Sequence, residues 1–90
     1  MTKRRSKLRI LVDILRVAER GEANITQIML EANLPYTRLS KYIDELLEKG
    51  LLLKTEDARE VKFKVTKKGR EFLKEFERIE RVAEAFGVEL

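Results

Sequence analysis

Apolar residues recur at three- and four-residue steps between Lys7 and Arg20, where Leu8, Leu11, Ile14, Leu15 and Ala18 mark a helix buried on one side. Gly21 stops it as a C-terminal cap. Thr26 then stands where its hydroxyl can accept from the orphaned N–H groups of a short helix through Gln27, Ile28, Met29, Leu30, Glu31 and Ala32. Asn33, Leu34 and Pro35 make a tight turn. A third helix, from about Tyr36 to Lys49, carries Leu39, Ile43, Leu46 and Leu47 on one face and Tyr42 at its margin, and Gly50 ends it. Beyond Gly50 the period shortens to two. Leu51, Leu52 and Leu53 lead into a strand, Glu56 to Arg59 form a polar turn, and Val61, Phe63 and Val65 alternate with Lys62 and Lys64, so Leu51 to Val65 reads as a β-hairpin. Thr66 caps a long last helix, Lys67 to Phe86, which Gly87 closes. The pattern predicts a mainly α chain with one β-hairpin, an α+β fold.

The last helix has more apolar surface than a small core needs. Phe72, Phe76, Ile79, Ala83 and Phe86 follow a heptad seam, widened by Leu73 and Val82. About 20 helical residues span roughly 30 Å, farther than a compact domain covers, so a second copy of the chain is the simplest partner, although Phe72 and Leu73 are close enough to fold back on their own core. A parallel pair would set Glu75 against Glu80. An antiparallel pair crossing near Ile79 sets Phe76 against Val82 and Ala83, large against small, and is the expected arrangement of a homodimer.

A short helix, a tight turn and a longer helix form a helix-turn-helix, whose second helix can enter the major groove of DNA. The outward face of that second helix changes sign along its length. Its first half carries Tyr36, Thr37, Arg38, Ser40 and Lys41, all able to bond phosphates or base edges, while Asp44, Glu45 and Glu48 make its second half acidic. The same face also fits an ordinary solvated helix of mixed charge.

The ordered set Ile25-Thr26-Gln27-Ile28-Met29, Ala32-Asn33-Leu34, Tyr42-Ile43, Leu46-Leu47 with Gly50-Leu51-Leu52, and Val65-Thr66-Lys67-Lys68-Gly69 resembles the winged-helix superfamily. Within it the likeness is to small archaeal winged-helix regulators and chromatin proteins, and it covers nearly the whole chain. The resemblance implies a winged helix-turn-helix DNA-binding domain over residues 1–66, with the hairpin as its wing, and a C-terminal coiled-coil dimerisation helix over residues 67–90. Thr26, at the start of the first helix of the pair, joins the expected DNA-binding set.

Composition changes this picture in two places. The net charge of +4 is uneven: Lys3, Arg4, Arg5, Lys7 and Arg9 put +5 in the first nine residues and leave the remainder at −1. The basic end is where a polyanion is expected to dock, with Lys3, Arg4 and Arg5 as phosphate contacts, or else it is a plain charged terminus. Lys62 and Lys64 are further phosphate candidates on the wing, but Glu56 and Asp57 near its tip argue against insertion into a groove. The 40% charged content in both signs is typical of heat-adapted proteins.

The absence of Cys and His removes the usual thiol and imidazole chemistry and most transition-metal sites, and no carboxylate cluster in an apolar pocket is indicated. The expectation is a non-enzyme with no cofactor, no metal, no small-molecule ligand and no membrane segment, cytoplasmic and nucleoid-associated, whose partners are double-stranded DNA and a second copy of itself. Three roles remain open: a sequence-specific transcription regulator, an architectural chromatin protein, and a protein-interaction module that uses the winged fold as a scaffold.

Overall fold

The computed structural model describes residues 5–57 and 59–90. Its elements are α1 (Lys7–Glu19), α2 (Ile25–Ala32), α3 (Tyr36–Glu48), β1 (Leu52–Asp57), β2 (Glu60–Val65) and α4 (Lys67–Ala85). The expected order of helices and hairpin, the α+β winged helix, is the observed one.

The hub is α1. Ser6 caps it by accepting from the Arg9 N–H at 3.1 Å, and its Ile10, Val12, Ile14, Leu15, Val17 and Ala18 are buried. The three-to-four period placed Leu8 inside, yet Leu8 is exposed while Ile10, Val12 and Val17 are covered. The cause is that α1 packs against α2, α4 and β2 together, so its apolar arc is wider than one stripe. Ile28, Leu39, Leu46 and Leu73 bring the other helices into the same core.

Two local expectations are corrected. Asn24, and not Thr26, caps α2, accepting from the Gln27 N–H at 2.8 Å. The residue before it explains why. Ala23 exchanges backbone hydrogen bonds of 3.0 and 2.8 Å with Phe63, an isolated bridge on the hairpin edge, which holds the chain extended until Asn24 and makes Ile25 the first residue free to turn helical. Thr26 is left exposed in the first turn. The polar turn of the hairpin is also tighter than expected, because antiparallel pairing runs from Leu52 with Val65 out to Asp57 with Glu60 and takes Glu56 and Asp57 into β1.

The start of α4 lies on the junction between α3 and β1. Thr66 accepts from the Gly69 N–H at 3.0 Å and donates to the Gly50 carbonyl at 2.7 Å, so one hydroxyl ties both ends of the hairpin. Gly69 faces the Leu51 carbonyl so closely that a methyl group there would overlap it, and would lie 2.6 Å from Val65 Cγ2. The first half of α4 is thereby part of the core: Leu73 and Phe76 are 1% and 5% exposed. Each such side chain contributes about 2–3 kcal/mol of burial. Among the described residues, no helix is long and apolar enough to cross a membrane.

Candidate nucleic-acid interface

The turn between α2 and α3 sets the angle of α3. Asn33 adopts the left-handed conformation, φ 55° and ψ 57°, which Asn tolerates better than most residues, and the Leu34 N–H bonds back to the Met29 carbonyl at 3.1 Å. Leu34 then plugs into the core. Pro35 occupies the N-cap of α3, and no side chain caps that end. The Tyr36 and Thr37 N–H groups are therefore left without a capping side chain at the positive end of the helix dipole, while the Arg38 N–H bonds to the Pro35 carbonyl at 3.2 Å.

Around that end the structure brings together most of the expected residues. Tyr36, Thr37, Arg38 and Lys41 are exposed, and Ser40 is half-buried with its hydroxyl donating to the Thr37 carbonyl at 3.3 Å. Among the described residues neither Arg38 nor Lys41 has a carboxylate within ion-pair distance. Between α3 and the wing lies a notch of about 250 Å³, lined by Tyr36, Ser40, Ile43 and Asp44 of α3 and by Lys54, Val61 and Phe63 of the wing, among others.

Lys54 is a candidate that sequence reasoning missed, exposed and with its ammonium 3.7 Å from Glu56. It pairs across the hairpin with Phe63, and this register puts it on the face turned toward α3. The signal was present, since Lys54 lies two residues beyond buried Leu52 on the same side of β1. Lys62 and Lys64 fall on the opposite hairpin face, with Thr55 and Leu53 as their cross-strand partners. Lys64 is exposed, and Lys62 is half-buried with its ammonium 3.8 Å from Glu60.

The basic N-terminus is arranged differently from its appearance in the sequence. Lys3 and Arg4 lie outside the described residues. Arg5 donates to Asp13 at 3.0 Å, to the Ala32 carbonyl at 2.6 Å and to the Asn33 carbonyl at 2.9 Å, which places a cation at the negative end of α2. Lys7 donates to Glu45 of α3 at 2.7 Å. Arg9 donates to Glu80 of α4 at 2.7 Å and lies 5.0 Å above the Phe76 ring, with Arg16 over the same ring at 5.8 Å. The hydrogen bond from Lys7, with further attraction from Lys49, holds the Glu45 carboxyl below the usual carboxylate range, and the same bond raises Lys7. One acidic group of the second half of α3 is thus neutralised, whereas Asp44 and Glu48 stay exposed.

The expected dimer seam divides along α4. Leu73 and Phe76 are covered inside the protomer, and Phe72 and Ala83 are half-buried. Ile79, Val82 and Phe86 are exposed by 55%, 53% and 81%.

A family model described as winged helix-turn-helix matches residues 4–84. The chain is 36% identical over 67 residues to an uncharacterized protein of Methanocaldococcus jannaschii, covering 74% of this chain and only 65% of that protein's length. Its fold is similar to the crystal structure of Sso10a-2, a DNA-binding protein from Sulfolobus solfataricus, with a TM-score of 0.80 and 26% identity over 91% of this chain and 85% of that one. A protein of unknown function from Listeria innocua shares the fold with a TM-score of 0.72 and 24% identity, over 82% of this chain and 53% of that one.

Proposed function

Because the chain belongs to the winged helix-turn-helix family, we propose that it binds double-stranded DNA with the start of α3 in the major groove. The observation that carries this is the uncapped end of α3, where Arg38 and Lys41 stand without acidic partners among the described residues, beside Tyr36, Thr37 and Ser40. Uncapped N–H groups suit a phosphate, the cations add counterion release, and the hydroxyls suit base edges. Thr26 at the start of α2 and Lys54 across the notch reach toward the flanking backbone. Lys64 and Lys62, on the other hairpin face, serve a phosphate only where DNA curves around the wing. Lys3 and Arg4 remain candidate phosphate contacts. The likeness to Sso10a-2, described as DNA-binding, supports the same reading.

The chain acts as a homodimer in this reading, through the second half of α4. With Phe76 covered inside its own protomer, the antiparallel contact runs through Ile79, Val82 and Phe86, whose exposed side chains are the apolar surface left over by the fold. Residues 67–76 then serve the DNA-binding unit as well as the dimerisation helix. Two wings at opposite ends of the rod allow one dimer to contact two DNA sites.

Titration of a labelled duplex across a salt series tests the proposal. Tight binding at low salt that weakens steeply with salt is expected. No binding at low salt would remove DNA as the partner and leave the protein-interaction module. A strong preference for one duplex over random sequence marks a transcription regulator, and uniform affinity marks a chromatin protein.

A further inference from the structure

On α4 the cations Lys67, Arg70, Lys74, Arg78 and Arg81 are spaced 3, 4, 4 and 3 residues apart. At about 100° per residue they fall within an arc of roughly 80°, and the outer two are separated by about 21 Å of helix. All five are exposed. Glu71 and Glu77 flank the stripe, each about 20° beyond one edge, with Glu84 and Glu75 farther out. Among the described residues the closest ion pair made by the stripe is Arg78 with Glu75, at 3.8 Å. The first turn of α4 contains no acidic residue, so Lys67 sits where the helix dipole disfavours a cation.

The stripe is distinct from both surfaces already described. The buried side of α4 carries Leu73 and Phe76, and its exposed apolar side carries Ile79, Val82 and Phe86. On a helical projection the middle of the stripe is about 120° from the middle of each of these sides, and only Arg78, about 40° from Val82, adjoins the exposed apolar one. The rest of the stripe therefore stays open in the proposed dimer. It also lies on a different element from the uncapped end of α3, and α4 packs on α1 and β2.

Resting on the reading of the protein as DNA-binding, we propose that this outer face of α4 is a second phosphate-binding surface for double-stranded DNA. It tracks the backbone without reading sequence. Each chain then holds DNA at two places, by the end of α3 and by the stripe. Five cations spread over such a length neutralise phosphates of one strand and contribute a slope of about −4 to −5 to log K against log[salt].

The test compares three full-length proteins by duplex titration across salt: the wild type, the variant Arg38→Gln/Lys41→Gln, and that variant with Lys74→Gln, Arg78→Gln and Arg81→Gln added. The substituted side chains make no core contact, and glutamine keeps the helix. The α3 variant is expected to bind more weakly but to retain a steep salt dependence. Adding the three α4 substitutions is expected to reduce the slope by about 3 units, with sedimentation mass unchanged. Exchanging Lys74 for Arg and Arg78 and Arg81 for Lys keeps the charge and is expected to keep the slope. If the five-fold variant has the same residual affinity and slope as the α3 variant, the second surface does not exist. If the wild type binds no duplex at low salt, the DNA-binding reading and this surface fall together.

Discussion

Two groups of cations, similar on paper, have opposite fates in this molecule. Arg5, Lys7 and Arg9 place three cations within five residues, and each is bound to a carboxylate: Asp13, Glu45 and Glu80. Arg38 and Lys41 are fewer, yet among the described residues neither meets an acid. Local charge density is therefore a poor guide to where a polyanion docks. What counts is the charge left unpaired after the helices have packed, because a paired cation must first give up its carboxylate.

The comparison is best broken at Phe76, the ring on which Arg9 and Arg16 rest. Phe76→Ala is expected to cost about 3–5 kcal/mol, as for other buried aromatic truncations, read as a fall in denaturant midpoint. A loss below about 0.5 kcal/mol would return Phe76 to the surface and to the dimer seam. Arg5→Ala removes a charged group from two carbonyls and a carboxylate, and about 2 kcal/mol of stability is expected to go with it. DNA affinity per folded molecule should change little. A loss of affinity without loss of stability would place Arg5 back among the DNA contacts.

Arg38→Gln and Lys41→Gln reverse that pattern. Stability should stay within about 0.5 kcal/mol, while duplex affinity falls roughly tenfold and the salt slope by about 1 for each phosphate no longer neutralised.

The smallest effect is expected at the pair of Lys7 and Glu45. Glu45 has a depressed pKa in the folded chain, so its contribution is complete above the unfolded carboxylate pKa and is lost as pH falls through the folded value. Lys7 has a raised pKa, so its contribution is complete below the unfolded lysine pKa and is lost as pH rises through the folded value. Lys7→Gln should therefore lower Tm slightly at neutral pH, and the difference from wild type should shrink in acid. A difference that grows in acid would contradict the pairing.

Most elements could be read along the chain, because amphipathic periods and caps are local. Thr66, Gly50 and Gly87 lie where the turns of the backbone need them, with positive φ at both glycines. The α2 cap escaped this reading because Asn24 and Thr26 are both competent, and only the bridge between Ala23 and Phe63 selects the earlier one. Lys54 escaped because strand register, and not composition, decides which face meets α3.

The candidate site divides in the same way. Tyr36 to Lys41 were legible because position on one helix determines their exposure. The fate of the N-terminal cations was not, since Lys7 meets a carboxylate 38 residues away and Arg9 one 71 residues away. No local spacing rule reaches that far.

By itself, then, the sequence determined the order of helices and hairpin, the helix-turn-helix and the apolar excess of α4, since each follows from a period repeated within a few turns of chain. Tertiary structure alone decided which cations remain free and which half of α4 is spent on the core. Both depend on what α1 touches, and α1 is covered by segments from nearly the whole length of the chain. Burial and pairing are properties of that packing.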